Sequence, residues 1–185
     1  MNRFIALLKI VSLFNLVCPF SFGQTSQTSS NSKSTIIKLD SLYKGYGVVF
    51  SQDNNPGIVI SDLKQRYTPS VAEITAAEQI FLSQYNKANK AEPARKNAKH
   101  INNPKSYFNK YYRQYIGFID NRGNKNILIH LIDFSKPRKV KKYVGDGWKD
   151  NFVIVFAQPM PFSILTYRVN MGENKLFASF WELPN

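Results

Sequence analysis

The sequence predicts an α+β domain in which one long helix packs on a curved antiparallel sheet of four to five strands, with a short N-terminal β segment ahead of them. Three observations predict it. Val71, Ile74, Ala77, Phe81, Tyr85 and Ala88 recur at three- and four-residue intervals, the spacing of one helix face over about five turns. Downstream, apolar runs of strand length are divided by turn residues with no second long helical pattern, so helix and strands are segregated rather than interleaved. Finally, 185 residues with 43% hydrophobic and 14% aromatic content fill one core but not two enzyme domains, and nine Gly with nine Pro exclude a collagen-like or disordered chain.

In chain order, residues 1–23 read as a secretory signal peptide. Arg3 supplies the positive charge, residues 10–17 the apolar centre, and Ser21-Phe22-Gly23 the small residues ahead of a cut before Gln24. Lys9, Asn15 and Pro19 interrupt the stretch as a membrane anchor. Cys18 keeps a lipid-anchored rival open, although Asn15-Leu16-Val17 lacks the small residue expected before such a cysteine. Cleavage removes the single cysteine, so the exported chain is stabilised by packing and not by disulfides. Residues 24–35 form a polar, low-complexity spacer, and one α+β domain spans 36–185. Export implies a periplasmic or extracellular location.

Within the domain, Ile36-Ile37, residues 46–50 and residues 58–60 read as short strands, the last two paired across the turn Asp53-Asn54-Asn55-Pro56-Gly57. Thr68-Pro69-Ser70 with Glu73 three residues on is a capping box, and the helix it starts should stop before Pro93. Residues 91–110 are basic and sparsely apolar, a solvated connection. Residues 111–120 and 125–134 form a hairpin around Asn121-Arg122-Gly123-Asn124, where Gly123 takes the left-handed conformation. Residues 152–158, 162–170 and 175–182 complete the sheet, with Met171-Gly172-Glu173-Asn174 turning between the last two. Pro159 and Pro161 fall at a break or an edge, since proline cannot donate to a ladder.

One pattern carries a functional implication. Ile127, Ile129 and Leu131 alternate with Leu128, Ile132 and Phe134, so this strand is apolar on both sides, as are residues 152–156. A sheet covered by one helix has a wet second face and alternates cleanly. Something must therefore cover that face: the chain's own N-terminal strands, a second copy of the chain, or a ligand in a concave apolar pocket.

Catalytic and metal chemistry find few candidates. Two histidines, His100 and His130, cannot build a multi-histidine zinc site, and the thiol ligands are missing. His130 and Asp133, three apart on a strand, point to opposite faces. The 53–57 turn resembles a calcium loop only until the twelfth position, where Lys64 replaces the required acid. Val144-Gly145-Asp146-Gly147-Trp148 matches no phosphate-binding spacing and reads as a loop closed by Trp148 docking on the core. No nucleophile-elbow spacing, metal set or cofactor motif is present.

The positive signals are charge. The formal net charge is +13, and because Arg3 and Lys9 lie in the leader and no acid does, +11 stays with the exported chain. One basic cluster holds Lys87, Lys90, Arg95, Lys96, Lys99, Lys105, Lys110 and Arg113 against Glu92; the other holds Lys136, Arg138, Lys139, Lys141, Lys142 and Lys149 against Asp146. Both lie beside aromatics, among them Tyr107, Tyr111, Tyr112, Tyr143 and Trp148. Converging at one end of the sheet, they would bind phosphate, sulfate or uronate groups with rings available for stacking; apart, they are a solvated surface. Export disfavours nucleic acid and makes a polysaccharide or lipid headgroup the more natural anion.

Tyr112-Arg113-Gln114-Tyr115-Ile116-Gly117-Phe118-Ile119-Asp120, with Gly123 and Lys125 following, resembles the hairpin of a group of small, exported, uncharacterised bacterial proteins with a Y-x-R-Q-Y-I-G-[YF]-I-[DN]-x-x-G stretch. The likeness spans residues 111–182. It departs where relatives tend to have an Asp-Gly-Gly turn, here Ala157-Gln158-Pro159-Met160-Pro161. The resemblance implies the family's fold and export and no activity; by analogy alone, the helix followed by consecutive strands is nearest to a cystatin-like or NTF2-like curved sheet. The inhibitory Q-x-V-x-G loop of cystatins is not matched by Gln114-Tyr115-Ile116-Gly117. The expected function is a non-catalytic exported module binding a protein partner or an anionic envelope component, with no cofactor and with homodimerisation open. Arg138, Lys139, Lys141, Lys142 and Arg113 are the anion-binding candidates. A rival is an enzyme or carrier whose sheet pocket contains His130, Asp133 or Tyr115, with His130, Tyr115 and Trp148 as ligand contacts.

Overall fold

The computed structural model describes residues 34–95, 98–154 and 163–178; the leader, Cys18, most of the spacer and Pro159-Met160-Pro161 lie outside them. The chain is α+β, with one long helix on a seven-stranded, mostly antiparallel sheet. Strand β1 (Ser34–Ile37) pairs antiparallel with β2 (Gly47–Phe50), and β3 (Leu63–Tyr67) precedes helix α1 (Val71–Ala91). A short helix, α2 (Pro104–Tyr107), leads into the hairpin β4 (Tyr111–Asp120) and β5 (Lys125–Asp133). Helix α3 (Pro137–Val144), β6 (Ile164–Asn170) and β7 (Lys175–Ala178) follow. The order is β1-β2-β4-β5-β6-β7, with β3 also on β4.

Helix α1 starts where its cap predicts. Ser70 Oγ accepts from the Glu73 N–H, and the Glu73 carboxylate accepts from the Ser70 N–H at 2.9 Å, a box worth about 1 kcal/mol. The helix ends at Ala91, ahead of Pro93. Ile74, Ala77, Phe81, Tyr85 and Ala88 are buried against Tyr115, Ile127, Ile129, Tyr167 and Val169, which form the first core. Val71 is the exception, 53% exposed at the first helical position.

The strands depart from expectation in four places. The first strand starts at Ser34, two residues before Ile36. Residues 58–60 form no strand; Ile58 and Ile60 instead pack on the second core, and the strand that leads into α1 is β3. β2 runs parallel to the first half of β4 (Val49 opposite Tyr115), while β3 runs antiparallel to its second half (Tyr67 opposite Gly117), so both share one edge. Residues 152–154 are not a strand either, and residues 155–158, like 179–182 of the last predicted strand, lie outside the described residues.

The second face of the sheet is covered by the chain itself. Val48, Phe50, Ile116, Phe118, Leu128 and Ile132 form a second core with Val140 of α3, Trp148, Phe152 and Val153. The cover is α3 and the segment after it, not the N-terminal strands alone. Residues 148–153 are fixed by side chains in place of a ladder: Gln114 Nε2 donates to the carbonyls of Trp148 (2.6 Å) and Asn151 (2.7 Å), and Gln114 Oε1 accepts from the Val153 N–H (2.9 Å). Backbone groups that would have demanded a partner strand are satisfied by one glutamine and, at Val153, by His130.

At the β7 edge, Gln84 of α1 supplies a similar substitute. Its amide accepts from the Leu176 N–H (3.0 Å) and donates to the Asn174 carbonyl (2.9 Å), which occupies groups that an added strand would need.

Candidate functional site

The three sequence-predicted ligand contacts are buried and do not meet. Tyr115 faces the helix, whereas His130 and Trp148 belong to the opposite face. His130 Nε2 lies 3.0 Å from the Val153 carbonyl, which can only accept, so this nitrogen carries the proton; Nδ1 then accepts from Thr166 Oγ1 at 2.8 Å. Both ring nitrogens are engaged. Burial disfavours the cation and holds the imidazole down at about 3, with the Val153 hydrogen bond opposing weakly. Neutral and saturated, the ring fastens the second-face cover to the sheet. Trp148 docks on Tyr112 and Phe134, as its place in the loop predicts.

Arg113 also leaves the candidate surface. It is wholly buried beneath α1, where its Nε lies 3.3 Å from Glu78 Oε1, its Nη1 donates to the carbonyls of Phe108 and Tyr111, and its guanidinium rests 3.8 Å from the Tyr43 ring centroid. Tyr115 Oη sits 2.9 Å from Glu78 Oε1 and 2.9 Å from Tyr43 Oη. A phenol has one proton, so with Tyr115 donating to the carboxylate, Tyr43 donates to Tyr115. Burial pushes Tyr43 up to about 12 and Tyr115 well above its ordinary value. Gly47 makes this approach feasible, since a Cβ there would stand 2.6 Å from Tyr43 Oη and 2.7 Å from Tyr115 Cε2. Glu78 Oε2 and Arg113 Nη2 have no hydrogen-bond partner among the described residues. The cluster is closed to solvent, which suits a buried ion pair that sets the position of α1 on the sheet.

Sequence reasoning missed this pair because charged residues default to the surface. Signals were present. Glu78 lies on the apolar stripe, four residues after Ile74 and three before Phe81, and Arg113 shares its strand parity with Tyr111 and Tyr115.

Two depressions open elsewhere, and His130, Asp133 and Tyr115 line neither. The larger, about 670 Å³, lies at the hairpin end beside Asp62, Asp120, Arg122, Arg168, Glu173 and Lys175; the smaller, about 260 Å³, lies beside Asn54, Ile58 and Arg66. In the larger one Arg168 is already engaged through each of its three nitrogens: Nε donates to Asn126 Oδ1 (2.8 Å), Nη1 to Asp62 (2.5 Å) and Nη2 to Asp120 (3.0 Å). Asp120 further accepts from the backbone of Arg122 and Asn124. These carboxylates pin β6 to the β4–β5 turn.

The exposed candidates gather at the other end of the sheet. Tyr111 opposes Asp133, so the approach to β4 (Lys105, Tyr107, Lys110) and the exit from β5 (Lys136, Arg138, Lys139, Lys141, Lys142) adjoin the same end. β2 enters there too: Tyr46 O accepts from the Arg113 N–H, and the Lys44 N–H donates to Asn109. The two basic clusters thus meet at this end, one on each side of the sheet, through Lys105 and Lys110 of the first and α3 of the second. The buried Val140 and the half-buried Val144 turn one side of α3 inward, which leaves Arg138 and Lys142 outermost and Lys139 and Lys141 on the flanks. Lys136, Arg138, Lys139, Lys141, Lys142 and Lys149 are all exposed and form no ion pair among the described residues; Asp146 and Asp150 are the neighbouring acids in sequence. Among the described residues no helix is long and apolar enough to cross a membrane.

Comparison with family models, with curated proteins and with solved structures finds no match to this chain.

Proposed function

We propose that this chain is a non-catalytic exported binding module that engages an anionic envelope component through the basic end of its sheet. The observation that carries the reading is α3 and its flanks: six exposed cations, Lys136, Arg138, Lys139, Lys141, Lys142 and Lys149, without ion-pair partners among the described residues. Their arrangement is costly to the helix. Arg138 and Lys142 are a like-charged i, i+4 pair, and Lys136, Arg138 and Lys139 crowd the N-terminal turn, where the helix dipole opposes cations and no acid or side-chain cap offsets them. An anion laid against this surface relieves both terms. Burial of His130, Tyr115 and Arg113, with both ring nitrogens of His130 engaged, supports a role without proton transfer, and closure of the second face removes the apolar groove that a ligand or mate would have filled.

The test is charge removal at the two ends of one molecule. Arg138→Gln with Lys142→Gln should elute earlier from heparin than Lys64→Gln with Lys175→Gln, which removes equal charge at the hairpin end. Retention that falls equally in both variants, or that persists in about 1 M salt, would contradict a localised electrostatic site.

A further inference from the structure

The geometry points to an anionic lipid bilayer as the partner of the basic end, which meets it end-on with three exposed tyrosines at headgroup level. This rests on the anion-binding reading above and names its ligand class.

Shape argues first. α3 presents its exposed cations on the side opposite the buried Val140, and neither of the two depressions described above is lined by them. Breadth argues second. Cations stand on both sides of the sheet end, Lys105 and Lys110 on the helix-covered side and the α3 lysines on the other, a spread suited to a plane of charge. A planar anionic leaflet contacts all of them together, each at about a Debye length or less from the surface.

The aromatics argue third and independently of charge. Among the described residues the large exposed side chains include three tyrosines: Tyr46 at 38%, Tyr107 at 51% and Tyr143 at 43%. All three lie at this end, each among lysines. Lys38 Nζ stands 4.8 Å from the Tyr46 ring centroid and Lys142 Nζ 5.6 Å from that of Tyr143, while Tyr107 lies between Lys105 and Lys110 in sequence. Tyrosine with lysine is the pairing that bilayer interfaces favour, the ring among headgroup carbons and the hydroxyl and ammonium in the wet layer. A solubility surface would have no need of the rings. Because Val140 and Val144 point into the protein, α3 lies on the leaflet without inserting into it.

The experiment is co-sedimentation of the full chain with phosphatidylcholine vesicles and with vesicles containing phosphatidylglycerol. Binding should require phosphatidylglycerol, weaken with salt, and fall roughly fivefold per charge removed, hence about 25-fold in Arg138→Gln/Lys142→Gln. Tyr107→Ser/Tyr143→Ser should weaken binding several-fold while leaving its salt dependence unchanged. All four positions are exposed, and an unaltered thermal midpoint confirms that the variants fold. Heparin retention without preference for the anionic vesicles would overturn the lipid assignment and leave anion binding standing. Loss of both would overturn both. Equal binding to the two vesicle types, unaffected by the charge variant, would overturn the lipid docking surface as well, since charge at α3 would then play no part.

Discussion

Neutral His130 accepts from Thr166 and donates to the Val153 carbonyl, so protonating it places a cation in a dry site that holds the second-face cover. The folded value, about 3, lies below the unfolded 6.5, so the native state binds fewer protons between them. Stability from this residue is complete above pH 6.5 and is lost as pH falls towards 3, on the order of 4 kcal/mol across the window. Urea denaturation at stepped pH should show that decline, and His130→Gln, which retains a donor and an acceptor, should flatten it; an unchanged slope would deny His130 its role. Glu78 is the second decisive residue. Glu78→Ala leaves Arg113 charged, buried and unpaired, so a loss of about 3–5 kcal/mol is expected in the same assay. Gly47→Ala should cost about 1–3 kcal/mol, because its Cβ meets the Tyr43 and Tyr115 side chains well inside contact distance.

At the scale of elements, α3 separates stability from binding. Arg138→Glu puts an acid in the first turn and creates a Glu-to-Lys i, i+4 pair with Lys142, so the thermal midpoint should rise, by about 0.3–1 kcal/mol in free energy, while heparin retention falls. A fall in both would mean that Arg138 makes structural contacts instead. α3 was illegible in the sequence for the same reason that it is informative: Val140 and Val144 are its inward apolar residues amid lysines, too few to register as a helical face. Helix α1 and the β4–β5 hairpin were legible because their signals are local, a capping box and a Gly123 turn. The strand expected over 152–158 follows an apolar run whose described part, residues 152–154, pairs with side chains; nothing in local sequence announces that Gln114 and His130 will take the hydrogen bonds of a neighbouring strand. The parallel β2–β4 pairing is equally non-local, joining residues more than sixty apart. Of the anion-binding candidates, the α3 cations are exposed, whereas Arg113, grouped with them by adjacency in sequence, belongs to the core.

For the whole molecule, the two apolar faces of the sheet are each closed by the chain, α1 on one and α3 with residues 148–153 on the other, so neither face calls for a second copy. Charge, in contrast, is left unbalanced along the sheet: Asp62, Glu73, Asp120 and Glu173 lie towards the hairpin end, and Glu73, Asp62 and Asp120 are tied to Lys125 or Arg168, while the α3 end carries cations without partners among the described residues. With both faces closed and the charge polarised end to end, the basic end is the surface on which the proposed binding rests. The most direct measurement is hydrogen–deuterium exchange of the full chain with and without vesicles containing phosphatidylglycerol. New protection should appear at residues 38–46, 104–110 and 136–149 and leave the turns at 121–124 and 171–174 unchanged; protection centred on those turns, or on β4 to β6 with the basic end unaffected, would contradict it.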